Sequence, residues 1–356
     1  MTRLSQIDEK LKKLETLLVS RNSLLIVMQD NPDPDAIAAS CALKELANKI
    51  ANITCQLAYG GTIGRAENRE LAHYLGYNFH PFGEIGHKNF DLIALVDTQP
   101  ATGNNPLPAD ILPDIVIDHH PIRKATCSVA FTDIRQNYGA TSTILCEYLL
   151  AARITPEIPL ATALLYGIRS DTQDLGRESI QADIDAMEVL YPLANKRMLS
   201  QIQRGRVPSA YYQMLTTALA NTKLYGNCLI CDIGEIDNPD MIGEVADLLL
   251  RHDKIDWVMC YGLFNNQLLI SLRTQDKELK AGDVIRNIIQ RIGTGGGHAG
   301  MAGGRISLQN GKEDTSEYCR LEQVIRKRFL KALRIKNTRG PLLIRMPLKT
   351  GANKSS

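Results

Sequence analysis

The apolar residues in the first half of the chain follow two alternating spacings. Short apolar runs with the length of a buried strand are each followed by a longer segment whose apolar residues recur at helical spacing. Strands separated by helices of ten or more residues predict an α/β fold with a mostly parallel sheet and helices on both faces. The predicted strands cover residues 24–28, 53–58, 91–96, 115–117 and 128–132, and the predicted helices cover residues 36–50, 67–75, 140–152 and 158–169.

The first residues of the chain predict a separate element, which we assign to residues 1–21. Ile7, Leu11, Leu14 and Leu18 recur at helical spacing, so this stretch is expected to be an amphipathic helix. Its apolar face would pack on the domain or on a partner subunit, and a homodimer is one arrangement that such a helix would support.

The second half of the chain predicts a smaller α/β domain. We place a first domain at residues 22–195, a polar linker at 196–210 and the second domain at 211–333. This second domain has three predicted strands, three predicted helices and a glycine-rich loop at 293–304. Residues 334–356 carry six basic and no acidic side chains, which is typical of a solvated tail or of an arm that binds nucleic acid.

Composition and charge narrow the classes of protein. With 44% hydrophobic and 22% charged residues, the chain can form buried hydrophobic cores, and its composition fits an intrinsically disordered protein poorly. No apolar run approaches the ~20 residues that cross a bilayer, so we expect a cytoplasmic protein without a membrane partner. The formal net charge of +2 is too small for a broad nucleic-acid surface, and any nucleic acid bound should be short.

Acidic residues follow several of the predicted strands. Asp33 and Asp35 come after strand 24–28, Asp97 follows strand 91–96, and Asp118, His119 and His120 follow strand 115–117; Asp171 ends a helical stretch. Singly, each carboxylate fits a helix cap or a turn. Because the carboxyl ends of parallel strands share one edge, together they favour a site for Mn²⁺ or Mg²⁺. Two such ions ~3.5–4 Å apart can share a carboxylate and support displacement at phosphorus.

These segments resemble a known family. Asn-Pro-Asp-Pro-Asp-Ala-Ile at 31–37, Leu-Val-Asp-Thr at 95–98, Asp-His-His at 118–120 and Gly-Ile-Arg-Ser-Asp-Thr at 167–172 are similar to the four successive motifs of the DHH phosphoesterases. Residues 293–304 resemble the glycine-rich signature of the associated C-terminal domain. The resemblance covers roughly residues 22–332, with the motifs in the family's order.

The resemblance implies two metal ions, Mn²⁺ or Mg²⁺. One ion would be held by Asp35, Asp97, His119 and Asp171, and the other by Asp33, the shared Asp97 and the residue at position 29. The family has histidine at that position, whereas this chain has Gln29. Because an amide oxygen is a poorer donor to Mn²⁺ than imidazole, the ion at Gln29 is expected to be the more weakly held.

The resemblance also assigns catalytic and substrate-binding residues. The catalytic set would be Asp97, Asp118, His119 and His120, with His120 also facing the substrate phosphate. In the second domain, Arg273 ends a predicted strand and could form a bidentate contact with phosphate. The phosphate would also be contacted by Gly295, Gly296, Gly297 and His298.

The sequence therefore predicts a phosphoric ester hydrolase. Its substrates would be very short oligonucleotides or dinucleotides, such as linearised cyclic dinucleotides, cleaved to mononucleotides. Two alternatives stay open: a phosphatase of 3′-phosphoadenosine 5′-phosphate, and a nucleotide-binding or regulatory protein in which Gln29 has impaired catalysis.

Overall fold

The computed structural model describes residues 3–177, 179–276, 278–297, 299–309, 315–337 and 339–344. The chain divides into two compact units, Met1–Arg206 and Val207–Ser356. In the described parts of the chain, every helix is too short or too polar to cross a membrane.

The first unit is built on parallel strands. They are β1 Ser23–Asp30, β2 Thr54–Gly60, β3 Phe79–Pro81, β4 Leu92–Val96, β5 Ile115–Asp118 and β6 Phe131–Ile134. The helices are α1 Arg3–Leu18, α2 Pro34–Ala51, α3 Ala66–Leu75, α4 Phe82–Ile85, α5 Thr141–Ala151, α6 Ile158–Asp171, α7 Gln181–Leu193 and α8 Lys196–Ile202.

The described strands of this unit pair in the order β3-β2-β1-β4-β5-β6, and every pair is parallel. The predicted mostly parallel α/β sheet is therefore confirmed. A large apolar cluster covers one face of the sheet and contains buried residues of α1, α2, α3, α5, α6 and α7. A smaller cluster on the other face includes partly buried residues of α4. Since β1 and β4 are neighbours, the strand order reverses beside β1, and a crevice opens there at the carboxyl ends.

The stretch predicted as a linker, residues 196–210, contains regular structure. Asn195 accepts from the backbone N–H of Met198 and begins α8, and Leu199 and Ile202 are buried in the core of the first unit. A second helix begins at Ser209. The polar composition of this stretch does not predict α8, because a helix of seven residues needs only two apolar positions to pack against the core.

The second unit is built on a mixed sheet. Its strands are β7 Lys223–Tyr225, β8 Cys228–Glu235, β9 Trp257–Phe264, β10 Gln267–Thr274, β11 Thr294–Gly297 and β12 Met301–Ser307. Its helices are α9 Ser209–Asn221, α10 Asp240–Leu249, α11 Ala281–Ile289 and α12 Thr315–Ala332. The described strands pair in the order β11-β12-β10-β9-β8-β7, with β8 and β9 parallel and the other pairs antiparallel. Helices α11 and α12 pack on one face, and α9 and α10 on the other.

The segment predicted as a glycine-rich loop forms most of a β-hairpin. Strands β11 and β12 pair from Thr294↔Arg305 to Gly297↔Ala302. A Cβ atom on Gly282 of α11 would lie 2.4 Å from the carbonyl oxygen of Gly297, and a Cβ on Gly297 would lie 2.3 Å from that of Met301. Gly282 lets helix α11 approach the hairpin closely, and Gly297 lets β11 approach β12, which gives both glycines a packing role independent of any ligand.

Part of the predicted basic tail also pairs with the sheet. Leu224 donates its backbone N–H to Pro341 O, and Leu343 donates to Thr222 O, beside β7. Apolar residues at 342–344 interrupt the basic ones, and one of them, Leu343, packs on the second unit's core. Residues 345–356, which include three of the six basic side chains, lie outside the described part of the chain.

Candidate metal centre

The centre begins at the junction of β1 and α2. Asp33 is the N-cap of α2, and its Oδ1 accepts a hydrogen bond of 2.9 Å from Ala36 N. Pro34 occupies the first helical turn, where its missing N–H costs nothing. The cap therefore fixes Asp33 at the carboxyl edge of the sheet, with its second oxygen directed at other groups of the site.

Asp35 ties α2 to the start of α5. Its carboxylate oxygens accept hydrogen bonds from Thr141 N at 2.7 Å and from Ser142 N at 2.8 Å. The side chain is fully buried, and the negative charge lies at the N-terminus of α5, where the helix dipole stabilises it. Each carboxylate oxygen has two lone pairs, so both retain the capacity to bind a cation.

Asp97 follows β4 in a left-handed backbone conformation, with φ of 60°. This conformation is uncommon for residues other than glycine, but aspartate tolerates it better than most. Thr141 Oγ1 donates to Asp97 Oδ1 over 2.8 Å, and the side chain is almost fully buried. The strained turn directs this carboxylate into the crevice between β1 and β4.

His119 completes the group. Its Nδ1 lies 3.1 Å from the carbonyl oxygen of Tyr138, an arrangement that assigns a proton to Nδ1 and turns Nε2 toward the carboxylates. Nε2 is 3.2 Å from Asp171 Oδ2 and 3.6 Å from Asp97 Oδ1, yet it is buried and has no hydrogen-bond partner among the described residues.

This arrangement suits a divalent cation. Ligand atoms of Asp35, His119 and Asp171 all lie within 4.8 Å of one another. Six oxygen or nitrogen donors about 2.1 Å from an ion are spaced about 3 Å apart, close to the separations observed around His119 Nε2. The buried imidazole nitrogen, which lacks a hydrogen-bond partner in the described ranges, and several buried carboxylates are therefore consistent with one Mn²⁺ or Mg²⁺ ion.

The electrostatics support the same conclusion. Burial and the charge of Asp171 raise the pKa of Asp33 to about 6 and that of Asp35 to about 7. Burial and the neighbouring carboxylates raise the pKa of Asp97 well above its usual value. Burial alone would lower the pKa of His119, but the nearby carboxylates, chiefly Asp171, outweigh it and raise that pKa to about 10, so Nε2 must release a proton before it can bind a cation. The cluster thus has an excess of negative charge that a cation would neutralise.

His120 lies beside this group, with ligand atoms of Asp97, His119 and His120 within 4.8 Å of one another, and it is also engaged by Asp118. Asp118 Oδ1 lies 2.8 Å from His120 Nδ1, so that nitrogen is engaged and unsuited to a metal, although it is also 3.8 Å from Asp97 Oδ1. Burial raises the pKa of Asp118, but the interaction with His120 and the charge of His119 hold it below its usual value. The His120 ring keeps about a third of its surface exposed, which leaves it accessible to a substrate.

Gln29 lies between two predicted ligands, but as a hydrogen-bond donor. Its Nε2 is 3.1 Å from Asp33 Oδ2 and 3.5 Å from Asp97 Oδ2. The structure therefore brings together the predicted site residues of the first unit, and in this arrangement Gln29 donates hydrogen bonds to two of them. These residues are Gln29, Asp33, Asp35, Asp97, Asp118, His119, His120 and Asp171.

Several residues that orient this centre carry no sequence signal. Gln99 donates to Asp118, Thr141 donates to Asp97, and Tyr138 accepts from His119 through its main chain. Asp183, at the start of α7, accepts from Gly139 N and Thr143 Oγ1 and anchors the segment that contains Tyr138. Their function depends on tertiary contacts, and no spacing rule could have identified them.

The predicted phosphate-binding residues of the second unit lie at one end of its sheet. Arg273 of β10 is opposite Met301 of β12. The next residue of β12, Ala302, is paired with Leu272 on one side and with Gly297 of β11 on the other. Arg273 forms an ion pair with Asp247 of α10 and donates to Ser271 Oγ. Gly295 and Gly297 are in β11 beside Gly296, whose Cα faces open space, while His298 lies outside the described residues.

Comparisons with known proteins agree with this geometry. Residues 23–168 match the family described as "DHH family, N-terminal domain", and residues 225–321 match the "DHHA1 domain". The chain belongs to the DHH family of phosphoesterase hydrolases.

Individual relatives show how far the likeness extends. An uncharacterised protein of Methanocaldococcus jannaschii is 34% identical over 333 residues, which are 92% of this chain and 67% of that protein. A second protein of that organism is 26% identical over 195 residues, and the match spans 58% of its length.

Two solved structures share the fold. An exopolyphosphatase-related protein from Bacteroides fragilis superposes with a TM-score of 0.69 at 15% identity, covering 91% of this chain and 97% of that one. RecJ from Thermus thermophilus in complex with Mn²⁺ gives a TM-score of 0.52 at 13% identity, covering 94% of this chain and 56% of RecJ.

Proposed function

We propose that this chain is a cation-dependent phosphodiesterase that cleaves very short oligonucleotides or dinucleotides to mononucleotides. The observation that carries the proposal is the set of carboxylates around the buried Nε2 of His119, which has no hydrogen-bond partner among the residues that the structure describes. A bound Mn²⁺ or Mg²⁺ would supply Lewis-acid charge at the phosphorus and lower the pKa of an attacking water. Asp35, Asp97, His119 and Asp171 would hold that ion.

The remaining residues of the centre would act on the substrate. His120, oriented by Asp118, would contact a phosphate oxygen and move a proton to or from it. Gln99 would keep Asp118 in place, since it donates to Asp118 Oδ2 over 2.6 Å. Arg273, at the end of β10, would contact a substrate phosphate.

The preference for short substrates rests on charge. The net charge of +2 offers little long-range attraction for a polyanion, and Arg273 is already paired with Asp247. Binding then depends on a few local contacts, which one or two nucleotides can satisfy. RecJ was solved with Mn²⁺, and we infer that the same cation is a suitable cofactor here.

The experiment is a length series. Purified protein with Mn²⁺ or Mg²⁺ is incubated with dinucleotides, a pentanucleotide, a longer RNA and 3′-phosphoadenosine 5′-phosphate, and released mononucleotide or phosphate is measured. We expect the fastest turnover with dinucleotides. A matched Asp171→Asn variant checks that the activity belongs to this centre.

Other results would assign a different function. Preferred release of phosphate from 3′-phosphoadenosine 5′-phosphate would replace the proposal with a phosphatase. Tight binding of dinucleotides without turnover, at saturating Mn²⁺ and Mg²⁺, would favour the nucleotide-binding alternative. Faster cleavage of the long RNA would contradict the argument from charge.

A further inference from the structure

The two halves of the candidate metal centre differ in what satisfies their carboxylates. Around His119, the buried Nε2 has no hydrogen-bond partner within the described part of the chain, and carboxylates of Asp171 and Asp97 lie within 3.6 Å of it. Around Gln29, by contrast, the polar atoms are paired with one another. The difference bears on how many cations the protein holds.

Asp33 is satisfied without a cation. Its Oδ1 accepts from Ala36 N at the start of α2, and its Oδ2 accepts from Gln29 Nε2 over 3.1 Å. The same amide nitrogen lies 3.5 Å from Asp97 Oδ2. A primary amide has two N–H bonds, so this nitrogen can donate to both of the carboxylates that would otherwise hold a cation.

The orientation of the Gln29 amide is set by its neighbours. Asn104 Oδ1 accepts from Thr98 Oγ1 at 2.8 Å, so its Nδ2 is directed away from that hydroxyl. That Nδ2 is 3.5 Å from Gln29 Oε1. A rotated Gln29 amide would set its oxygen against two carboxylates and its nitrogen against another N–H donor. The polar network therefore favours the donor orientation of Gln29.

We infer that the protein holds a single divalent cation at Asp35, Asp97, His119 and Asp171, and that the Gln29 amide replaces the other cation as a neutral bridge between Asp33 and Asp97. The inference deepens the proposed function, on which it rests for the presence of a cation. In this chain the carboxylate of Asp33 is a partner of Gln29 and a helix cap.

Metal binding without substrate tests the inference. Mn²⁺ is titrated into the full chain by calorimetry, and the bound ion is examined by electron paramagnetic resonance. We expect one ion per wild-type chain with the spectrum of an isolated Mn²⁺. Two ions of similar affinity, or the spectrum of an exchange-coupled pair, would overturn the inference.

Two variants separate the halves of the centre. Asp33→Asn keeps an acceptor for the α2 cap, and we expect it to bind one ion with an affinity within about threefold of wild type, since its charge serves only the Gln29 bridge. Asp171→Asn should lower the affinity for the ion by more than tenfold, which is roughly the loss expected when a residue that only contacts a metal ligand is changed. Loss of the ion in Asp33→Asn would also overturn the inference.

Gln29→His provides the opposite change. An imidazole nitrogen in place of the amide should add a second ion and give the coupled spectrum, with circular dichroism checking that the variant is folded. Failures of the two proposals are distinguishable. One bound ion with no hydrolysis would contradict the proposed function alone, and hydrolysis with two bound ions would contradict this inference alone.

Discussion

Gln99 Nε2 donates a hydrogen bond of 2.6 Å to Asp118 Oδ2, and Asp118 in turn holds Nδ1 of His120. Gln99 is buried, and its Oε1 accepts from Arg123 N and Thr126 Oγ1. One amide therefore joins the ends of β4 and β5 to the segment after His120. Gln99 thereby fixes the orientation of the Asp118 carboxylate, which is buried from solvent.

Gln99→Met should destabilise the protein by about 1–3 kcal/mol, because it leaves buried acceptors and donors without partners at nearly constant volume. Turnover should fall as well, since His120 loses its oriented carboxylate. Urea denaturation and the dinucleotide assay measure the two effects. Gln213→Met, at an exposed position of α9, is the matched control, and equal effects at both positions would exclude a special role for Gln99.

Asp97→Asn should abolish Mn²⁺ binding and hydrolysis while the protein stays folded. Asparagine tolerates the left-handed backbone at this position and can still accept from Thr141, so only the charge is lost. Calorimetry and the dinucleotide assay provide the measurements. A variant that keeps a tenth of wild-type turnover at saturating Mn²⁺ would contradict the central role of this carboxylate.

Gly167→Ala tests the close packing of α6 on α2 and α5. An added Cβ would lie 2.5 Å from Ser142 Oγ and 3.2 Å from Asp35 Oδ1, so the helices must separate. We expect a loss of about 1–3 kcal/mol in the free energy of unfolding and weaker Mn²⁺ binding through Asp35. Gly83→Ala, where a Cβ meets nothing within 4 Å, should change neither quantity. Unchanged Mn²⁺ affinity in Gly167→Ala would show that this packing does not position Asp35.

Arg135→Met should leave the buried charge of Asp133 without its main partner. Arg135 Nη2 lies 2.7 Å from Asp133 Oδ2, and both side chains are largely buried. Burial raises the pKa of Asp133, but Arg135 and Lys10 together hold it below its usual 3.8. The stability from this pairing is present above the unfolded-state pKa and is lost as the pH falls through the folded-state pKa.

At neutral pH the loss in Arg135→Met should therefore be about 3–5 kcal/mol, because Asp133 stays charged without its main partner. The difference from wild type should shrink below about pH 4, where protonation removes the charge. Thermal unfolding across this pH range measures it. A difference that is constant from pH 7 to pH 3 would show that the loss comes from packing.

Arg273→Ala should raise KM for a dinucleotide and leave Mn²⁺ binding unchanged. A charge-assisted contact with phosphate is worth about 1.5–3 kcal/mol, so a 10- to 100-fold rise in KM is expected. Arg286→Ala, an exposed arginine paired with Asp283 on α11, is the control. Loss of Mn²⁺ from Arg273→Ala would contradict a role confined to the substrate.

The sequence by itself determined the parallel sheet and the grouping of the acidic motifs. Hydrophobic periodicity is a local property, and β1, β4 and β5 were predicted within two residues of their observed ends. Asp97 and the Asp118–His120 segment each follow a strand, and parallel strands bring such residues to one edge. The same local reasoning missed α7 and read the β11–β12 hairpin as a loop, because glycine gives no strand periodicity.

The tertiary structure decided how each of those residues is used. Asp35 caps a helix that begins 106 residues later, and Gln99 holds a carboxylate 19 residues away. Gln29 was expected to be a weak oxygen ligand, whereas its amide donates to Asp33 and Asp97. The orientation of an amide depends on all the donors and acceptors around it. Those neighbours come from separate segments that only the folded chain brings within hydrogen-bond distance.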